Sequence, residues 1–294
     1  NIEITDLDSN QTCQAIPDDI GYLTGAVHGT INGVPTICGG FYEDQRIISK
    51  YCNQYNKLEN SFHISHTLPE AVKLAAASQW KTNSIVISGG LTDHGISNHL
   101  QIIGDEPRTL EMPLGIRSHC MVNVFKDTLL LIGGKSEDLE TLNKTFIVKV
   151  REEGLEWDIG PDLDHAIESL MCGIMEKDEG TYVVVVGGIV SGSWLFNDCQ
   201  YLEMPDLTAW KSCTKLFSGR AEGQLLTDPE SGDLILIGGR SNDGYESTIL
   251  RLSSITGDWS LENTLEARRT LHTSMFVPDD QLLCENTKSK HDEL

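Results

Sequence analysis

Three arginines, two histidines and a lysine are the residues of this chain best suited to chemistry. Arg117, Arg220 and Arg269 (or its neighbour Arg268), with Lys73, each open an apolar segment, and His119 and His272 follow close behind. If such residues converge on one mouth, guanidinium groups there can clamp a carboxylate or other anion through paired hydrogen bonds. The same types at the start of buried strands have a commoner use, satisfying buried backbone carbonyls. Asp93 and His94, with His99 nearby, could hold a metal on a loop, but their spacing matches no known zinc site and a solvated loop is the expectation. Asp6, Asp8 and Asn10 resemble the opening of a calcium loop. Gln11 then stands where glycine is needed, and Pro17 where a bidentate glutamate belongs. No nucleophile elbow, phosphate-cradling loop or Cys-x-x-Cys pair is present. No catalytic residue, metal or cofactor is expected.

Charge narrows the partners. The 294 residues carry a formal charge of −22. Nucleic acid, which needs a basic surface, is excluded as a partner, and so is docking on an anionic leaflet. No apolar run is long enough for a transmembrane helix, so membrane insertion is not expected. The chain opens on Asn1-Ile2-Glu3-Ile4, which reads as a processed start, and closes on His291-Asp292-Glu293-Leu294, a retrieval signal read by a receptor of the endoplasmic reticulum. Two acceptor sequons, at Asn10 and Asn143, and eight cysteines suit the same lumenal, oxidising route. The lumen of the endoplasmic reticulum is the expected location, with secretion as its variant.

These residues hang on a repeat. Glycine pairs follow apolar, β-branched runs at Gly39-Gly40, Gly89-Gly90, Gly133-Gly134, Gly187-Gly188 and Gly238-Gly239, every 44 to 54 residues. Continuously apolar runs such as Ser84-Ile85-Val86-Ile87-Ser88 are expected of strands buried on both faces. Each pair lets the backbone turn and pack where a Cβ would clash. An apolar marker keeps the same period with six copies: Ile16, Leu68, Met112, Leu163, Leu216 and Leu265. An aromatic precedes four of them, at Phe62, Trp157, Trp210 and Trp259. Six copies against five glycine pairs imply a sixth unit split between the ends. Arg269–Val277 and Gln281–Cys284 would be its first two strands, and Glu3–Leu7 and Thr12–Ile16 its outer ones. Closing the ring in this way removes open sheet edges.

This pattern of strand, glycine pair, polar loop, strand and tryptophan resembles the Kelch-repeat family over residues 1–284. The second unit lacks the tryptophan, and the tyrosine after the glycine pair appears only loosely, as Tyr55 and Tyr201. The resemblance implies an all-β, six-bladed propeller of four-stranded blades, its ring closed by terminal strands sharing one blade. Residues 285–294 are read as a flexible tail. Blade placement then suggests cysteine partners among the many pairings that eight allow. Cys38 with Cys52, and Cys199 with Cys213, would join neighbouring strands. Cys120 with Cys172 would join inner strands of adjacent blades, and Cys13 with Cys284 would lock the shared blade.

In such a propeller the loops after the glycine pairs and the starts of the inner strands share one face. Arg117, Arg220, Arg269, His119, His272, Lys73, Asp93 and His94 would all lie there. The expected function is non-catalytic binding of a protein or glycan of the secretory pathway through this face. The alternative is an enzyme resembling the Kelch-type sugar isomerases, acting on an acidic sugar at the channel mouth. A copper-radical oxidase of the galactose oxidase type fits poorly, because such enzymes are longer and carry their metal ligands on added domains.

Overall fold

The computed structural model describes residues 3–5, 11–17, 20–190, 194–277 and 281–286. Among the described residues, four antiparallel four-stranded sheets and a fifth, whose four long strands carry two short ones beside them, follow one another along the chain with their long strands in sequence order. The first comprises Val27–Ile31, Val34–Cys38, Tyr51–Asn56 and Ser61–Thr67. The second begins at Ala76–Trp80, the third at Cys120–Phe125, the fourth at Met171–Lys177 and the fifth at Gln224–Thr227. The second strand of each sheet is its most apolar. In Ser84–Ser88 all five residues are buried, as expected where a strand is covered on both faces.

Alternation along these strands feeds two different cores. In the third sheet Leu129 and Leu131 pack toward the second sheet, while Leu130 and Ile132 pack toward the fourth. Each sheet is therefore a blade wedged between neighbours. Four apolar clusters fill the spaces from the first blade through to the fifth. Two tryptophans tie the fourth and fifth blades back to the ones before them. Trp210 Nε1 donates to Thr145 Oγ1 at 3.0 Å and Trp259 Nε1 to the Thr214 carbonyl at 3.0 Å.

The glycine pairs are the joints between blades. The second glycine of each pair donates its N–H to a carbonyl of the next unit: Gly40 to Val72, Gly90 to Ile116, Gly134 to Ile167, Gly188 to Arg220 and Gly239 to Arg269, all at 2.7–2.8 Å. That approach leaves no room for a side chain. A Cβ on Gly89 would stand 2.0 Å from the Ile116 oxygen, and one on Gly187 2.1 Å from that of Arg220.

Just beyond each joint one residue takes a left-handed conformation: Gly25, Leu74, Ser118, Ser169, Glu222 and Leu271. Their backbones form a closed cycle. Leu74 N–H donates to Gly25, Ser118 to Leu74, Ser169 to Ser118, Glu222 to Ser169, Leu271 to Glu222 and Gly25 to Leu271, at 2.7–3.2 Å. One residue from each of the six sequence repeats thus contributes to a hydrogen-bonded ring.

The closing region differs from the expected sixth blade. Among the described residues, 272–277 form no strand, and the strand near the C-terminal end is Cys284–Asn286. It pairs antiparallel with Gln11–Cys13, so that terminal segments do meet as anticipated, but as two strands. Residues 3–5 carry no strand, and 6–10 lie outside the described residues. Disulfides join Cys38 to Cys52, Cys120 to Cys172 and Cys199 to Cys213, as their places on the strands suggested. Cys284 is disulfide-bonded too, and the residue opposite it in the strand register is Cys13, whose side chain lies outside the described ones. Disulfides are features of an oxidising compartment. No helix among the described residues is long and apolar enough to cross a membrane.

Candidate functional site

The ring divides the molecule into two faces. On one lie the glycine pairs and their loops; on the other lie the hairpin turns between first and second strands. The basic residues singled out in the sequence occupy the glycine-pair face, but at two different positions. Lys73 and Arg117 stand one residue before the left-handed residue; Arg220 and Arg269 stand two before it, where other blades carry Val72, Ile116 and Ile167.

Most cations there already have an internal partner. Arg117 and Lys135 share Glu168 at 3.5 and 3.3 Å. Arg269 meets Glu3 at 2.7 Å, and Arg240 meets Glu222 at 3.3 Å. Lys73 Nζ sits 3.7 Å above the Phe41 ring. Arg220 is buried, 3.5 Å from Glu246, and its Nε and Nη1 have no hydrogen-bond partner. Burial lowers its pKa, against the pull of Glu246. The face therefore presents no gathered set of free guanidinium groups. Asp93 and His94 lie exposed at the tip of the Leu91–Thr92 and Gly95–Ile96 hairpin, while His99 bonds Glu70 at 2.9 Å and does not join them. Asn143 donates to the Leu163 carbonyl at 3.3 Å. Asn10 and the retrieval tetrapeptide lie outside the described residues.

Arg220 and Glu246 yield a prediction. Breaking a buried ion pair is costly, whereas replacing both members by apolar groups is often neutral or stabilising. Arg220→Met alone is expected to lower stability by about 2–3 kcal/mol, and Arg220→Met with Glu246→Leu to restore wild-type stability or exceed it. Urea midpoints of the two variants check this; equal losses would mean that the pair does not act as a unit.

A large hollow lies on the axis. A cavity of about 1550 Å³ is lined by the inner strands of all five blades, from Ala26, Ala75, His119, Leu170 and Gly223 down to the turns Glu176–Glu179 and Asp228–Gly232. It begins immediately after the hydrogen-bonded ring and reaches the hairpin turns, so the turns form the rim of its mouth on the hairpin face. Wall amides are spent on joining blades. Gln79 pairs with the Thr30 backbone at 3.0 and 2.9 Å, Asn123 donates to the Gln79 carbonyl at 3.0 Å, and Gln224 to the His272 carbonyl at 2.9 Å.

Two histidines line the wall, both uncharged at neutral pH. Burial lowers His28 to about 4 and His119 to about 3. His119 Nε2 lies 2.7 Å from Ser88 Oγ, a nucleophile–base distance. Ser88 is wholly buried and no group orients His119 Nδ1, so substrate has no route to the hydroxyl. The lining holds five carboxylates, from Glu176, Asp178, Glu179, Asp228 and Glu230, against Lys81 and Lys177. Asp228 is matched by Arg251 at 2.9 Å, and Lys177 by Asp233. Glu176, Asp178, Glu179 and Glu230 remain exposed. Sequence reasoning missed this acidic rim by assigning function to the glycine-pair loops. The acids clustered in two turns directly after inner strands were the available signal.

With this geometry in hand, comparison with known proteins speaks to the fold. The solved structure of the propeller protein YjhT superposes with a TM-score of 0.68, covering 85% of this chain and 86% of that one, at 15% identity. The chain is a β-propeller. No family model matches it, and no curated protein does.

Proposed function

We propose that this chain is a non-catalytic binding propeller of the secretory pathway, of the Kelch type, that takes its ligand into the axial cavity from the hairpin face. The observation that carries this reading is the cavity itself. It runs along the axis from the ring to the hairpin turns, the amides of Gln79, Asn123 and Gln224 on its wall are spent on joining blades, and the Ser88 hydroxyl is buried behind His119. Such a wall holds a ligand by shape and charge. The exposed rim acids favour a basic protein segment, whose on-rate and selectivity such a field raises, and the same rim disfavours an acidic sugar. The tetrapeptide His291–Leu294, read by a retrieval receptor, would keep the protein in the endoplasmic reticulum, where protein ligands pass.

Fluorescence anisotropy of a labelled lysine-rich peptide tests the reading. Binding is expected to weaken as salt rises, and to fall at least tenfold in a Glu176→Gln, Glu179→Gln, Glu230→Gln variant. Preference for a neutral oligosaccharide over the peptide would make the ligand a glycan. Turnover of a sugar acid by the purified protein would overturn the binding reading.

A further inference from the structure

A second cavity has the opposite character. It measures about 530 Å³ and lies between the fifth blade, the first blade and the segment that closes the ring. Elsewhere in the ring, the apolar faces of neighbouring blades meet in a packed cluster. Here Ile235, Ile237 and Ile249 of the fifth blade and Ile37 and Phe62 of the first, with Phe276 of the closing segment, line open space. Among the described residues, 272–277 run along this gap without forming a strand.

Its polar end carries two arginines against one carboxylate. Charged lining residues are Glu3, Arg268 and Arg269, with His272 beside them. Glu3 is matched by Arg269 at 2.7 Å. Arg268 is exposed, and its charge is left over. A surplus positive charge on a cavity wall stands out in a chain of net charge −22. Both ring nitrogens of His272 are buried without a hydrogen-bond partner, so a donor there is unmet. Tyr22 and Tyr245, both more than half exposed, border the same cavity and mark its opening on the glycine-pair face. The volume falls in the range of small-molecule sites, which are mostly apolar with a few placed polar groups.

We propose that this cavity binds an amphipathic carboxylate, its tail replacing the missing core between the blades and its head meeting Arg268 and the His272 ring. The tail gains by burial at roughly 25 cal/mol per Å², and the head gains a charge-assisted hydrogen bond. This site is separate from the axial one. It has an opposite charge preference and opens on the opposite face, so either can fail without the other.

Calorimetric titration of the full chain with decanoate, below its micellar concentration, tests the proposal. One molecule is expected to bind per chain, raising the thermal midpoint and moving the His272 ring resonances. Arg268→Gln, an exposed substitution that leaves the fold intact, should weaken decanoate about tenfold and leave decanol unchanged. Decyltrimethylammonium should bind more weakly than decanoate. The proposal is overturned if decanoate does not bind, or if decanoate and decanol bind alike and Arg268→Gln changes neither.

Discussion

Gly89→Ala is expected to cost about 4 kcal/mol or more. Three terms add. Gly89 has a φ of +58° and Gly90 one of +101°; a Cβ in the left-handed region costs about 1 kcal/mol or slightly more. The new methyl would lie 2.0 Å from the Ile116 carbonyl oxygen, a backbone atom that cannot swing aside. Moving that carbonyl breaks the Gly90-to-Ile116 hydrogen bond of 2.8 Å between blades, and an unmet buried amide costs about 1–3 kcal/mol. Gly33→Ala isolates the first term, since Gly33 has a φ of +76° and nothing within 4 Å of its Cβ position. It should cost about 1 kcal/mol. Gly238→Ala, whose nearest backbone neighbour is 3.0 Å away, should fall between them. Denaturant titration of the three variants gives the order directly. If Gly89→Ala costs no more than Gly33→Ala, close approach between blades is not what requires glycine.

That joint explains why so much of the fold was legible. A glycine pair after a continuously apolar strand is a local mark of a long-range constraint, and it repeats. Cysteine placement followed from strand placement, because Cys199 and Cys213 face each other in the register once their strands are known. The closing segment was harder. Arg269–Val277 has the residues of a strand, yet pairing depends on which edge is offered, and Cys284–Asn286 is taken by Gln11–Cys13 instead. Periodicity says which residues seek burial and leaves the partner open.

The site was less legible for two physical reasons. A basic residue at the start of an inner strand looks the same in sequence whether it stands one or two residues before the ring. One residue of offset turns Arg117, which meets Glu168 on the face, into Arg220, which enters the space between blades. The carboxylates that neutralise these cations come from elsewhere in the chain: Glu3 is 266 residues from Arg269. No local pattern announces such pairs. The acidic rim was hidden in turns, where charge is ordinarily a matter of solvation.

Acid should loosen this protein well before its carboxylates titrate. His28, His119 and His272 are each held below their ordinary value of 6.5 by burial, to about 4, 3 and 4, with Arg269 and His28 adding to the effect at His272. The unfolded chain takes up protons at these sites first, so it binds more protons than the folded one below pH 6.5. The stabilisation is complete above that pH and is lost as pH falls toward the folded values. For His119 alone the loss by pH 4.5 is on the order of 2–3 kcal/mol. Asp228 and Asp233 act in a lower window. Burial opposes ionisation of both, but hydrogen bonds from Arg251, together with Ser231 at Asp228 and Lys177 at Asp233, prevail and hold their pKa values down. Their contribution is present above about pH 4 and disappears below it. Urea midpoints from pH 7.5 to 4.5 should therefore fall steadily from about 6.5 downward, and His28→Gln with His119→Gln should flatten that limb. A wild-type midpoint unchanged between pH 6.5 and 4.5 would mean that these imidazoles titrate freely in the folded state. The same titration bears on binding. While both wall histidines stay neutral, the rim carboxylates and lysines set the charge of the axial cavity, so affinity for a basic segment should hold constant from pH 7.5 to 6.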